Sequence, residues 1–504
     1  MSPEPTADLA SRSDRSSRDA GGESGRYGGL WTRRLKPATA ADPHAPHSAA
    51  FLRLLHFSYF HSSSGGHFFL RRVCPAGFGL GAVLLLGGIL GLGQPRESVF
   101  ELFSLAFGMG LLGLPLVLLR RAALSARREI PRHATVGEPI RYSVHVKNIG
   151  RRRLRRAWLA ESAPDARPGL AEFSLQREPG EDERNRFDRS FAYYRWQWLL
   201  ERKRWFTGGD SPDELRLAAG GHGQVTIELT PLRRGVIRLT DLRVLLPDPL
   251  SLFQRCRKVS APAATLTVLP RRYPLPPIEL PGSARFQIGG EMTGNAIGNS
   301  GEFVGLRDYR PGDPLRQIHW KSWARTGRPI VKELEDTFYP RYGLVLDTFP
   351  NDGAGAVFED AVAVAASFAA TIDTRESLLD LMFIKDQAHV VTAGRGLARA
   401  EKLLEVLAAV EPEPRPGFDV LARLVLRHRD ELTSCLVVFA GWDDTRAGFM
   451  RRLACGGVSC AAIVVGSGSA PAGLPGHWVE CGHLARDLRR LPIRLGKDSS
   501  PRSF

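Results

Sequence analysis

Apolar and polar positions change rhythm several times along the chain, and each rhythm predicts a different kind of element. Residues 1–50 are rich in Ser, Arg, Gly, Pro and Ala with few bulky apolar side chains. Such a stretch cannot bury enough surface to offset the entropy of ordering, so a disordered basic tail is expected, running to about residue 70. It lacks the ordered charged, apolar and cleavage regions of a secretory signal. Two apolar runs follow, 73–93 (VCPAGFGLGAVLLLGGILGLG) and 99–119 (VFELFSLAFGMGLLGLPLVLL). Each is long enough to cross a hydrocarbon core of about 30 Å as a helix. The link 94–98 is so short that the two form a transmembrane helical hairpin over 71–121, and Gly77, Gly81, Gly87, Gly91 and Gly108 would let its helices approach closely. Glu101 sits near the outer end, an interfacial carboxylate reaching for water or, alternatively, a proton or ion site.

From 129 to 270 the texture becomes short alternating strands between turns: 140–147, 158–161, 224–230, 235–245 and 265–269. A small β-sandwich is the natural reading. The stretch 176–214 interrupts it, and within it residues 187–205 (FDRSFAYYRWQWLLERKRW) interleave Arg with aromatics. Arg195, Trp196, Trp198, Arg202, Lys203, Arg204 and Trp205 are candidates for contact with an anionic leaflet. The alternative is an insertion packed on its own domain. Base stacking is the weakest reading, for no nucleic-acid fold signature accompanies these aromatics, and no nucleic-acid partner is expected. Residues 271–300 then read as a Pro- and Gly-rich linker.

Residues 301–336, GEFVGLRDYRPGDPLRQIHWKSWARTGRPIVKELED, crowd turn formers, cations and aromatics together. Pro311 and Gly312 suit the centre of a turn, Asp313 caps a helix over 314–324, and Gly327 ends it. A strand follows over 330–334. On that helix Leu315, Ile318 and Ser322 share one face, with Arg316, Trp320 and Trp323 on another. Trp and Arg are the usual anchors of interfaces, so Arg307, Tyr309, Arg310, Asp313, Arg316, His319, Trp320, Lys321, Trp323 and Arg325 are candidate partner-binding residues. The competing reading is a structural joint, its Trp rings filling a junction between domains and its Arg side chains paired with Asp308, Asp313, Glu333 and Glu335. Beyond it, strands at 342–347, 378–384, 389–392, 436–440 and 460–465 alternate with helices at 357–372, 397–410, 418–428 and 445–454, the order of a doubly wound α/β domain within 301–492. A second disordered tail is expected over 493–504.

A chain of 504 residues exceeds one ordinary core, so two or three domains are expected. The net charge of +16 comes mostly from Arg, and much of it flanks the apolar runs, which favours anionic lipid as its counterpart. Arg71 and Arg72 precede the first run and Arg120, Arg121, Arg127 and Arg128 follow the second, whereas the link holds only Arg96. The positive-inside rule then puts both termini and the soluble domains in the cytoplasm. Six Cys without a CxxC pair indicate reduced thiols. Cys455, Cys460, Cys481 and His483 could surround zinc, but their spacing is not that of a standard ligand knuckle.

The run G-E-F-x-G-L-R-D-Y-R-P-G-D-P-x-R-x-I-H-W-K-x-x-A-R-T-G closely resembles the signature of the bacterial domain of unknown function 58 family (DUF 58). Arg234-Gly235-Val236 and the turn Pro247 to Phe253 resemble motifs of that family's sandwich, with Ser251 where the family commonly has Gly. The resemblance implies a bacterial inner-membrane, multi-pass protein with a von Willebrand factor A-like C-terminal domain, working beside a MoxR-type AAA+ ATPase, and no known reaction. A metal site of that fold would want Asp-x-Ser-x-Ser, since Mg²⁺ prefers hard oxygen donors. Here Phe349 takes the first Ser position and cannot ligate, leaving Asp347, Asn351, Thr392 and Asp443 as a degenerate set. No cofactor is expected, with Mg²⁺ the one ion those donors would suit, and no small-molecule substrate or catalytic residue is identified, for no G-x-S-x-G, HExxH or P-loop occurs. The leading expectation is a non-enzymatic, membrane-anchored scaffold. The alternatives are a metal-dependent binding protein or hydrolase, and a module binding anionic lipid or nucleic acid.

Overall fold

The computed structural model describes residues 49–93, 97–276, 302–335, 340–350, 355–372, 377–394, 400–413, 417–471 and 473–492. Most of the expected N-terminal tail, the linker beyond residue 276, the link at 94–96, Asn351 and the tail from 493 lie outside them. By compactness the chain divides into Met1–Leu54 and Leu55–Phe504, and the sheets formed by the described residues lie in the second unit. Where the tail was expected to reach residue 70 there is instead a helix, α1 (Ala49–Leu70). Its sequence, AAFLRLLHFSYF onward, combines good helix formers with bulky apolar positions.

The two apolar runs form α2 (Pro75–Gly93) and α3 (Glu97–Leu119). Only Ser98–Leu119 is, among the described residues, a helix long and apolar enough to cross a membrane; the apolar helix Pro75–Leu90 falls short. One candidate span therefore replaces the expected two. α2 begins at Pro75, two residues inside the expected run, where Val73 bridges to Phe253 and the Cys74 N–H donates to the Leu252 carbonyl at 2.9 Å, tying these residues to a turn of the β region. The glycines divide too. A Cβ at Gly87 would lie 3.3 Å from the Phe103 ring of α3, whereas Gly81 and Gly108 face open space.

The β region comprises β1 (Leu124–Glu129), β2 (His133–Thr135), β3 (Ile140–Asn148), β4 (Trp158–Glu161), β5 (Phe206–Gly208), β6 (His222–Pro231), β7 (Gly235–Leu239), β8 (Leu242–Pro247), β9 (Gln254–Lys258) and β10 (Ala264–Leu269). They form sheets ordered β1-β3-β6-β5, β2-β10-β7 and β4-β8-β9. One apolar core joins them, fed by alternate positions such as Tyr142, Val144 and Val146. The expected strand over 235–245 is two strands in different sheets, because the chain turns at Thr240 and Asp241. β1 was missed, since LSARRE is too cationic to read as a strand. Arg128 is nonetheless buried there, its guanidinium on both oxygens of Glu161 at 2.8 and 2.9 Å, so it is not a free flanking charge beside the membrane. Between β4 and β5, α4 (Leu170–Leu175) precedes the interrupting stretch, which itself holds α5 (Arg186–Phe191) and α6 (Tyr193–Lys203).

Next come β11 (Glu302–Asp308), α7 (Trp320–Thr326) and β12 (Ile330–Glu335), the strands pairing antiparallel. The last region holds β13 (Arg341–Leu346), α8 (Gly355–Thr371), β14 (Leu378–Lys385), β15 (Gln387–Ala393), α9 (Ala400–Ala409), α10 (Phe418–His428), β16 (Ser434–Ala440), α11 (Asp444–Cys455), β17 (Ser459–Gly466), β18 (His477–Glu480) and α12 (Leu484–Asp487). Its sheet runs β15-β14-β13-β16-β17-β18, parallel except for the antiparallel edge strand β15. Helices α8, α9 and α12 pack on one face, and α10 and α11 on the other. Strands covered on both faces become continuously apolar, as in SCLVVFA of β16. The protein is thus a mixed α/β, multidomain chain.

Candidate functional site

Two places concentrate the sequence-derived candidates. The first is the hairpin of β11, α7 and β12. Gly312 takes φ 109°, as a tight turn requires, and Gly327 ends α7 at φ 69° with its N–H on the Trp323 carbonyl at 2.9 Å. The expected helix over 314–324 is interrupted. Residues Leu315–Gln317 make a short 3₁₀ turn, Ile318 is extended and bridged to Val331, and the His319 N–H donates to the Ile330 carbonyl at 2.8 Å. Pairing with β12 outcompetes helical continuity, so Ile318 is buried while Leu315 is exposed, and they do not share a face. Asp313 is not a helix cap. Its oxygens accept two hydrogen bonds from Arg307, both 2.7 Å, and one from the Arg310 N–H at 2.8 Å. The Arg307 guanidinium, and then the Arg310 N–H, hold the Asp313 carboxyl down at about 2.

The Trp320 and Trp323 rings stack with centroids 5.2 Å apart at 19°, and Trp320 remains 62% exposed. In the same segment Arg310, Arg316, Lys321 and Arg325 are exposed, Tyr309 is half-buried, and His319 Nδ1 lies 2.7 Å from Ser322 Oγ. Of the pairings foreseen for a structural joint, Arg307 with Asp313 is present; the side chains of Glu333 and Glu335 lie outside the described residues.

The second place is the carboxyl edge of the parallel sheet. Strand order reverses between β13 and β16, and Asp347 and Asp443 follow those two strands, at the crevice where such sheets place ligands. Asp347 is fully buried. Its Oδ1 accepts from the Phe349 N–H at 3.0 Å, and its Oδ2 from the Ala440 N–H at 3.3 Å and from Arg446 Nε at 2.7 Å. Burial pushes the Asp347 carboxyl up from its ordinary range, against the opposing pull of Arg446 and those N–H groups. Asp443 caps α11, accepting from the Arg446 N–H at 2.9 Å, and also takes a side-chain hydrogen bond from Arg446. Thr392 is elsewhere. It donates to Asp380 at 2.6 Å, and Asp380 is in register with Gly343, near the start of β13 rather than its end. The degenerate metal set is therefore not brought together, and Arg446 stands between its two carboxylates. Sequence reading missed Arg446; its signal was the i, i+3 spacing from Asp443 at a helix start. Among the described residues no group of three or more His, Cys, Asp or Glu is placed to hold a metal, the Cys455, Cys460, Cys481 and His483 set included.

The leaflet candidates also scatter. Trp196 is 2% exposed, its ring within 6 Å of His56, Tyr59 and Phe173, and Arg195 is buried on Glu181. Lys203 pairs with Glu172, and Trp205 packs against the β core under Arg233. Only Arg202, stacked on Trp198, and Arg204 remain on the surface. The cause is amphipathic: α6 turns its aromatic face onto α1 and α4.

Residues 305–465 match the family described as "Protein of unknown function DUF58". YeaD of Bacillus subtilis (strain 168), an uncharacterized protein, is 26% identical over 132 residues, 25% of this chain and 32% of that one. The chain thus spans about a third of the length of the curated relative it matches. Among solved structures, the CARDB domain of a Pyrococcus furiosus protein in complex with di-metal ions covers 29% of this chain and 93% of its own, at 13% identity and TM-score 0.16. A Listeria innocua beta-glucosidase in complex with glucose covers 29% and 16%, at 13% identity and TM-score 0.14. Scores so low carry no argument about this protein. The class defined by the fold is a mixed α/β, multidomain protein with, among the described residues, one helix long and apolar enough to cross a membrane. The family match, which contains α7 and the sheet through β17, together with the Bacillus relative, supports a DUF58 family protein.

Proposed function

We propose that the protein is a membrane-anchored, cytoplasm-facing scaffold of the DUF58 type that captures a partner, an AAA+ ATPase of the MoxR type, through its hairpin and a von Willebrand factor A-like α/β region, with the β region as a sandwich-like spacer. The observation that carries this reading is the stacked Trp320–Trp323 pair, Trp320 exposed and Trp323 half-buried, in a segment whose Arg310, Arg316, Lys321 and Arg325 are exposed. Aromatic rings left in water beside cations are costly for a lone protein and suit an interface with an acidic partner. Anchoring draws its support from the helix Ser98–Leu119 and the cations at both ends of the apolar segment. A hydrolase reading finds no paired nucleophile and base at the sheet edge, where both carboxylates are engaged by Arg446.

The test is co-purification in mild detergent from native membranes. Arg316→Ala/Trp320→Ala, both exposed, is expected to fold as wild type and to lose the AAA+ ATPase. Equal recovery of the same partners with both proteins would refute the hairpin as the contact surface.

A further inference from the structure

The carboxylate cluster at the sheet's switch point has the place of a cation site and a different occupant. Every donor of Arg446 that faces it is used: the backbone N–H on Asp443 Oδ1 at 2.9 Å, Nε on Asp347 Oδ2 at 2.7 Å, one terminal nitrogen on Asp443 Oδ2 and the other on the Phe349 carbonyl. The guanidinium also lies over the Phe418 ring, 5.1 Å from its centroid. The side chain is 2% exposed, that of Asp347 is fully buried, and only Asp443 opens to water.

We propose that Arg446 is the resident cation of this site, a guanidinium supplied by α11 in place of a divalent metal, so that the Asp347–Asp443 site neither binds nor needs Mg²⁺. The donor chemistry carries the argument. A Mg²⁺ ion demands about six oxygens in near-octahedral array. Asp347 has already committed both oxygens, Phe349 offers an aromatic wall where a hydroxyl would be needed, and Thr392 is bound to Asp380 near the other end of β13. A metal entering between Asp347 and Asp443 would have to evict a guanidinium that keeps its charge at any accessible pH and has its hydrogen bonds made. The planar fork suits two carboxylates and a carbonyl at once, which a lysine would not match. The function of the clasp follows from its ends. It ties the end of β13 to the start of α11.

The experiment uses the full chain in detergent. Calorimetric titration of wild type with Mg²⁺ and then Mn²⁺ is expected to show no saturable heat, and thermal unfolding is expected to be the same in millimolar MgCl₂ and in EDTA. Arg446→Met should lower the melting temperature, and Asp347→Asn/Arg446→Met, which removes both charges, should recover most of that loss. If Arg446→Met does not fold, the double variant and the wild-type titration still decide. Stoichiometric Mg²⁺ or Mn²⁺ uptake by wild type that Asp347→Asn abolishes, a lower melting temperature in EDTA, or Arg446→Met melting as wild type would each overturn the proposal.

Discussion

Asp313 shows how one carboxylate can hold a turn, accepting from both Arg307 and the Arg310 N–H. With its carboxyl near 2 rather than the ordinary 3.8, the folded hairpin favours the ionised form. By linkage, the contribution is fully present above about pH 4 and is lost as pH falls through about 2, when protonation releases Arg307. Carboxyl-selective NMR of the full chain should find a midpoint near 2 for Asp313, rising towards the ordinary value in Arg307→Ala; an ordinary midpoint in wild type would refute the clasp. Ser251 is a second residue with a readable cost. It takes φ 57° in a turn where Asp248 Oδ1 accepts from the Leu252 N–H at 2.8 Å. A side chain in left-handed backbone costs about 1 kcal/mol. Ser251→Gly is expected to stabilise by up to about that amount, less the hydrogen bond from Arg156, as read by thermal unfolding.

At the scale of elements, the start of α2 is governed by the β region rather than by α3. A Cβ on Gly77 would lie 2.2 Å from the Leu252 carbonyl oxygen, a backbone atom with nowhere to move cheaply, whereas Gly81 has nothing within 4 Å. Gly77→Ala should therefore cost about 1–3 kcal/mol, and Gly81→Ala should be neutral or mildly stabilising. Paired melts in detergent distinguish them, and equal melting temperatures would show that α2 is not seated on the turn. The same competition between helix and tertiary pairing cuts the expected helix over 314–324. Local propensity favoured one helix from Pro314; the ladder to β12 claimed Ile318 and His319, and left α7 only seven residues.

Across the whole molecule, Arg234 joins the β region to the α/β region. It lies on Glu359 of α8 and donates to the Val410 carbonyl at 2.6 Å, with its guanidinium carbon 5.2 Å from the Phe358 ring. His133 and Glu405, 2.8 Å apart, add a second bridge between the same regions. This gives the Arg234-Gly235-Val236 motif a structural role, whereas the hairpin motif keeps Arg310, Arg316, Trp320 and Arg325 at the surface. Domain cohesion therefore belongs to Arg234, and the hairpin carries the proposed partner contact.

Much of the fold was legible in sequence because periodicity is a local property. Strand 158–161 and helix 418–428 coincide with β4 and α10, and the βα alternation after residue 340 specified a sheet covered on both faces. The candidate segment was also legible, since its glycines, cations and Trp pair are contiguous, but β11 and its pairing with β12 were not. What only the tertiary structure decided was which polar groups meet. Arg446 lies 99 residues from Asp347, Glu161 lies 33 from Arg128, and Leu252 lies far along the chain from Gly77. No pattern within one segment records such meetings, because a buried charge or a close backbone approach is satisfied by whatever the packed chain brings beside it.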